Sequence, residues 1–394
     1  MNEQYQLTGE QKILKETVRR MAREKIGPRA AEIDETGEFP WDVREQFREM
    51  GLFGLVFPEE YGGSNAGMLS AALVLEEIAV VCSSSAFICA APIPAGRIIL
   101  ESGNEKQKAN FLPPIVSGDM IGAFALTESE AEADTVRITT RAEKKGNLYI
   151  INGSKSFISL ADVAGFMIVF AKTKKDNEPD SVSVFIVAKD TPGWAVKRIE
   201  KKMGTQAVHA CELIFDNCPI PEANRIGAEG EGVIIATKAM GINCAITAAR
   251  ALGLSQGALD YSLKYSKERV QFGRPISSFQ GIQFILADMA MQIEAGRYLL
   301  YRACGELDDG GNEAHLLVSM AKCFITDVAM KVTTDAVQVL GGYGYMKDHP
   351  LERMMRDAKL TQLVEGTNQL QRLIVGRELF RSQRGFQRDE ERGG

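Results

Sequence analysis

At 394 residues the chain exceeds the length at which one hydrophobic core stops growing, so two or three domains are expected, each large enough to house an enzyme site. Its 52 acidic and 46 basic residues leave a net charge of -6 with the basic residues scattered, which excludes a nucleic-acid footprint and makes acidic polymers poor partners. Seven cysteines without a CxxC pair read as reduced core residues of a cytoplasmic protein, and three isolated histidines offer no ligand spacing, so no metal is expected.

The first residues, MNEQYQLTGEQKILKE, are charged from the third position and lack the apolar core of a signal peptide. Over residues 8–26, Ile13, Leu14, Val18, Met21, Ala22 and Ile26 recur near a 3.6-residue period behind Thr8 as N-cap, which predicts an amphipathic helix. The same texture in WDVREQFREMGLFG, MLSAALVLEEIAVV and NEKQKANFLPPI makes residues 1–120 an all-helical domain. The uncharged run IAVVCSSSAFICAAPIPAG at 78–96 raises the question of a membrane, but three serines and two prolines interrupt it. It reads as a buried helix plus a turn, with no membrane span.

Over 121–234 the short runs LYIING, FMIVFAK, SVSVFIVA and CELIFDN, separated by turn signals, predict a β domain, with KKGN closing a hairpin. Four long helical stretches follow, and their Ala, Gly and Leu faces suit an antiparallel bundle over 235–385, leaving 386–394 as a frayed polar tail. The expected fold class is α+β and multidomain: an N-terminal α-helical domain, a middle antiparallel β-barrel or sandwich, and a C-terminal four-helix bundle.

Short motifs punctuate this frame: AFALTE (123–128), NGSKSFIS (152–159), KKMG (201–204), RVQFGRPISSFQ (269–280), QVLGGYGY (338–345), RDAK (356–359) and VEGT (364–367). Taken singly each has a bland reading: VEGT is a helix start, RVQFGRP a helix stop, GGYGY a turn and NGSKSFIS a strand end. Together, in this order and spacing, they resemble the acyl-CoA dehydrogenase family over nearly the whole chain.

That resemblance implies FAD as cofactor and an acyl-CoA thioester as substrate, with Glu365 as the base that removes the α-proton while the β-hydrogen leaves as hydride. Phe124, Leu126 and Thr127 match the strand facing the flavin ring, and Phe157, Ile158 and Ser159 the step against its other face. Arg269, Phe272 and Gln280, with Gln338, Gly341 and Gly342, match residues that family members bring to the ADP half from a neighbouring subunit, and Thr367 and Gln369 complete those contacts. Ala133, Asn243, Ile246 and Gly366 fall on the acyl-CoA path. Some relatives carry the base on the first long C-terminal helix, at a position matched here to Ala245, which cannot take a proton. The resemblance further implies electron-transfer flavoprotein as the electron acceptor and a homotetramer built as a dimer of dimers.

Three stretches depart from the family pattern. Ser129 to Asp134 replaces a Gly- and Ser-rich run, Gln206 and Val208 replace an Arg and a small hydroxyl residue, and Asn243 and Ile246 replace an Asp and an Arg that meet the CoA moiety. These departures keep open a flavin-poor subunit completed by a related partner in a heteromer, and an enoyl-CoA reductase that runs the same site in reverse.

Overall fold

The structure, a computed structural model, describes residues 7–129, 138–173 and 182–392, with side chains as far as Phe380. Seven helices come first: α1 (Gly9–Met21), α2 (Ala30–Thr36), α3 (Trp41–Glu49), α4 (Gly67–Ala79), α5 (Ser83–Ala90), α6 (Pro92–Ser102) and α7 (Glu105–Val116). Thr8 caps α1 in a capping box with Gln11, and Asn104 caps α7 in another with Gln107. The Gln107 amide then reaches onward to the carbonyls of Ala223 and Arg225, at 2.9 Å each, and so ties the helical layer to the β domain.

The run 78–96 is buried helix broken by turns at 80–81 and at 91, and Pro92 is the first residue of α6, where its missing N–H would have no helical partner anyway. The α5–α6 run and the later helix α8 are long and apolar enough to cross a membrane, yet 72% of the most apolar window of each is buried inside the protein.

Strands β1 (Gly122–Ala125), β2 (Arg141–Lys145), β3 (Leu148–Ser159), β4 (Phe166–Lys172), β5 (Val182–Ala188), β6 (Trp194–Ile199), β7 (Ala210–Pro221) and β8 (Arg225–Ile226) form one sheet, ordered β6-β7-β3-β2-β4-β5-β8, with β1 parallel to β4. Gly146 and Asn147 close the β2–β3 hairpin, Gly146 taking the left-handed conformation a two-residue turn demands. β4 and β5 are buried on nearly every residue, which is why they read as unbroken apolar runs.

The C-terminal helices are α8 (Gly232–Glu268), α9 (Gln280–Asp308), α10 (Ala314–Leu340), α11 (Leu351–Thr361) and α12 (Asn368–Arg392), with a short ribbon, β9 (Val270–Gln271) and β10 (Arg274–Pro275), between the first two. α11 was not among the four expected helices; its eleven residues mix charge with a single buried face. α12 stays helical to Arg392, across the expected boundary at 385.

α8 and α4 cross backbone against backbone, because a methyl group at Gly253 or Gly257 would run into the carbonyl oxygens of Glu76 or Val80. Beside that crossing, buried Glu76 accepts from Arg297 Nε (3.0 Å) and Tyr301 Oη (2.7 Å), while Glu77 accepts two hydrogen bonds from Arg19 at 2.9 Å. These ion pairs join α1 and α9 to α4. Gly253→Ala is therefore expected to destabilise the protein by about 1–3 kcal/mol through overpacking. Gly376→Ala, in open space on α12, should instead leave the unfolding free energy read by chemical denaturation unchanged or raise it by about 0.5–1 kcal/mol.

Candidate active site

Glu365 sits in the turn between α11 and α12 at φ +55°, a left-handed conformation that costs a non-glycine residue about 1–2 kcal/mol and persists only where its surroundings enforce it. The enforcer is Lys322, fully buried on α10, whose ammonium donates to the carbonyl of Gly366 at 2.7 Å, to Asn368 Oδ1 at 2.9 Å and to the carbonyl of Gln362 at 3.4 Å. Burial lowers the Lys322 pKa to about 8, against the opposing pull of Cys244 and Glu365. Gln371 Nε2 (3.2 Å) and Cys244 Sγ (3.6 Å) both donate to the Glu365 carbonyl. Gly366, at φ +75°, has Gln371 and Met240 packed where a side chain would begin. Thr367 Oγ1 accepts from the Leu370 N–H at 3.3 Å and caps α12, while Gln369 is exposed.

Sequence reasoning missed Lys322, Asn368 and Gln371. The available signal was a lysine inside the apolar run SMAKCFITDVAM.

The Glu365 carboxyl lies deep among protein atoms although the residue keeps partial exposure, and burial pushes its pKa up. Asn243 Nδ2, donating to Oε2 at 2.7 Å, and the charges of Lys322 and Arg250 work the other way. The residue of α8 that faces Glu365 is thus Asn243. Ala245, the position matched to the base of some relatives, lies two residues on, turned about 200° around the helix and fully buried in the core. An amide takes no proton at neutral pH. Ile246 is buried one turn along the same face as Asn243.

In the β domain, Ser156 N donates to the Thr127 carbonyl at 2.9 Å and Lys155 Nζ to the Leu126 carbonyl at 3.0 Å, so AFALTE lies alongside NGSKSFIS. Leu126 and Thr127 lie just past the end of β1, and the half-buried Phe124 ring packs 5.3 Å from Phe170. A bulge between Lys155 and Ile158 turns Phe157 out of the sheet at φ +60°, with 53% of the residue exposed, while Ile158 is buried and Ser159 half-buried.

Lys155 is itself fully buried and pairs with Glu128 at 2.7 Å. Glu128 also accepts from Thr139 N and Oγ1 (2.5 and 2.7 Å) and from Thr140 N (3.1 Å). Burial alone would raise the Glu128 carboxyl, but the Lys155 charge and these donors outweigh it and hold the pKa at about 2. Ala133 and most of the departing run from Ser129 to Asp134 lie outside the described residues.

The expected dinucleotide contacts gather elsewhere. Arg269, Gln338, Gly341, Gly342 and Tyr343 line one cleft of about 580 Å³, with the Arg269 guanidinium 5.2 Å over the Tyr343 ring. Gly341 and Gly342 leave open space where side chains would stand. Phe272, 93% exposed at φ +52°, and the exposed Gln280 lie outside that lining. None of the residues around Glu365 or β1 borders the cleft. The KKMG turn joins the Glu365 side instead: Thr205 N donates to buried Asp357 Oδ1 at 2.5 Å, and Arg356 donates to the Met203 carbonyl at 3.0 Å. Gln206 folds back on its own loop and Val208 is buried.

A helical domain, a β domain and a helical bundle that holds an enclosed carboxylate in a turn define a three-domain protein with a candidate acid–base site. Family models for the acyl-CoA dehydrogenase N-terminal, middle and C-terminal domains match residues 8–119, 123–218 and 230–380. The chain is 44% identical over 375 residues to an acyl-CoA dehydrogenase of Bacillus subtilis, covering 95% of this chain and 99% of that one. Among solved structures it is similar to butyryl-CoA dehydrogenase from Megasphaera elsdenii (TM-score 0.93, 38% identity, 95% and 99% of the two chains covered). A chain solved in work on the electron transferring flavoprotein of Acidaminococcus fermentans is similar as well (TM-score 0.93, 43% identity, 96% and 99% covered). The chain belongs to the acyl-CoA dehydrogenase family, a flavin-dependent family of oxidoreductases.

Glu128→Ala would leave the buried Lys155 ammonium without its partner. A loss of about 3–5 kcal/mol in unfolding free energy is expected, read by chemical denaturation at pH 7.

Proposed function

We propose that this protein is an FAD-dependent dehydrogenase that forms the trans-2-enoyl-CoA from an acyl-CoA, with Glu365 as the base. The observation that carries the reading is the Glu365 carboxylate itself, enclosed, raised in pKa by lost hydration and steadied by one amide donor from Asn243. A carboxylate deprived of water is a stronger base. Among the described residues none accepts a hydrogen bond from the Glu365 backbone N–H, which leaves it free to donate to a thioester oxygen as negative charge grows there. The Lys322 clamp keeps carboxylate and N–H in one rigid turn.

The residues present fit a flavin dinucleotide. Phe157, turned out of its sheet, offers a flat apolar face to a ring system, and Arg269 beside the open Gly341–Gly342 backbone suits a pyrophosphate. Bound FAD supplies the hydride acceptor. The Arg269 cleft stands apart from the Glu365 turn, which supports contact with the cofactor of a neighbouring subunit and hence a dimer of dimers. Phe284 and Met291, one heptad apart on α9 and exposed by 60% and 63%, support the same assembly. Likeness to the chain from the Acidaminococcus work supports electron-transfer flavoprotein as the acceptor.

The run from Ser129 to Asp134 favours a second reading, a subunit that needs a related partner to retain flavin. The two separate by colour. Homogeneous protein carrying one FAD per chain through dialysis supports the first; colourless protein supports the second.

Glu365→Gln is expected to bind acyl-CoA yet fail to bleach the flavin anaerobically, with turnover reduced about 10³-fold or more; normal bleaching would exclude Glu365 as the base. Asn243→Ala removes a hydrogen bond to the charged carboxylate, so the Glu365 pKa rises further. The acid limb of kcat/KM against pH should move to higher pH, and an unmoved limb would show that Asn243 does not tune the base.

A further inference from the structure

One buried charge acts on the Glu365 carboxyl only from a distance and has no ionic partner of its own among the described residues. Arg250 on α8 is 1% exposed, among the largest fully buried side chains, and its one hydrogen bond runs from Nη2 to the Ser83 hydroxyl at a long 3.4 Å. Its Nε–H has no partner, and no carboxylate among the described residues forms an ion pair with it. The guanidinium lies 4.6 Å over the Phe87 ring of α5. Burial lowers its pKa to about 10, with the more distant Asp357 and Glu365 pulling the other way. Other buried charges are met at short range: Glu76 and Glu77 by arginines, Lys155 by Glu128, and Lys322 by three oxygens. A buried cation left this bare is costly unless something outside the chain completes it.

Its position says where that partner lies. Asn243 and Arg250 are seven residues apart on α8, so they project from one face two turns apart, with buried Ile246 between them. Asn243 marks the Glu365 end of this face, and Arg250 marks the end closed by Ser83 and Phe87 of α5. Helical side chains lean toward the helix N-terminus, which directs Arg250 back toward Asn243. Nε–H and one Nη2–H form the parallel, side-on edge of a guanidinium, the edge that grips both oxygens of a carboxylate. An alkyl chain end would leave that edge dry and unsatisfied.

We infer that Arg250, assisted by Ser83, binds a carboxylate at the far end of the acyl chain, so that the substrate is the CoA thioester of a dicarboxylic acid. This rests on the acyl-CoA reading of the Glu365 site. Two helical turns span about 10 Å, shortened by the lean of the arginine, which suits a short diacid of roughly four to eight carbons.

The test uses the intact flavoprotein and matched thioesters: glutaryl-CoA and adipyl-CoA against butyryl-CoA, hexanoyl-CoA and the monomethyl ester of glutaryl-CoA. The wild type should bleach with the diacid thioesters at a kcat/KM about 100-fold above their neutral counterparts. Arg250→Met should abolish that preference by slowing the diacid thioesters far more than hexanoyl-CoA, and Arg250→Lys, which keeps the charge but loses the fork, should fall between. A wild type that prefers the neutral chains, or an Arg250→Met variant that slows both classes equally, overturns the assignment.

Calorimetric binding of the same pairs to Glu365→Gln decides the matter without turnover and without altering Arg250. Equal affinity for diacid and neutral thioesters rejects the carboxylate site. Tighter diacid binding combined with a wild type that bleaches with neither class sinks the dehydrogenase reading and leaves the Arg250 site standing.

Discussion

The site depends on the grip of Lys322 on the turn between α11 and α12. A glutamate at positive φ is uphill for its backbone, and a turn of this length would relax unless its carbonyls were held. The buried ammonium holds two of them and the side-chain oxygen of Asn368, whose amide in turn donates to Thr326 Oγ1 and Asp327 Oδ1 at 2.8 Å each. Because a lysine buried without acceptors is far more costly than one with three, clamp and turn stabilise each other. The carboxylate and the backbone N–H of Glu365 are consequently set by α10.

Around that turn the electrostatics are a balance between lost water and a few fixed groups. Burial works against the charged form of Glu365, while Asn243, Lys322 and Arg250 favour it. The β domain solves a similar problem with a full ion pair. Glu128 and Lys155 stay ionised together because each removes the other's cost, and their remaining lone pairs and protons go to Thr139, Thr140 and the Leu126 carbonyl. That pair fixes AFALTE against NGSKSFIS, the two stretches that the flavin reading assigns to the two faces of the ring. Arg250 is the exception, a charge deep in the protein with one long hydrogen bond and the Phe87 ring beneath it.

Helix packing brings these pieces within reach of one another. The close crossing at Gly253 and Gly257 lets α8 pack against α4, so that a single helix meets the Glu365 turn at Asn243 and α5 at Arg250. Contacts of the KKMG turn with Asp357 and Arg356 fix α11, and with it the start of the same turn, to the β domain. Arg269 and the glycine loop sit at a different place on the bundle, which is why one chain presents two partial sites.

Domain texture was legible in the chain, because helices and strands advertise themselves through periodicity: the α1 cap at Thr8, the Gly146–Asn147 hairpin and the buried runs of β4 and β5 are all local signals. α11 escaped because its charged surface outweighs its one apolar stripe, and Pro92 was taken for a break where it begins a helix. Motif order was equally plain, and with it Glu365, Thr367 and Arg269. What no local pattern carries is which side chain on a long helix faces which loop. A shift of two residues around α8 separates Ala245 in the core from Asn243 on the carboxylate, and only the packed structure fixes that rotation. The same holds for Lys322 and Arg250, lysine and arginine in apolar helices whose surroundings come from segments far away in sequence. Composition and pattern determined what kind of protein this is; long-range packing, which sets burial and hydrogen-bond partners, decided how its charges are used.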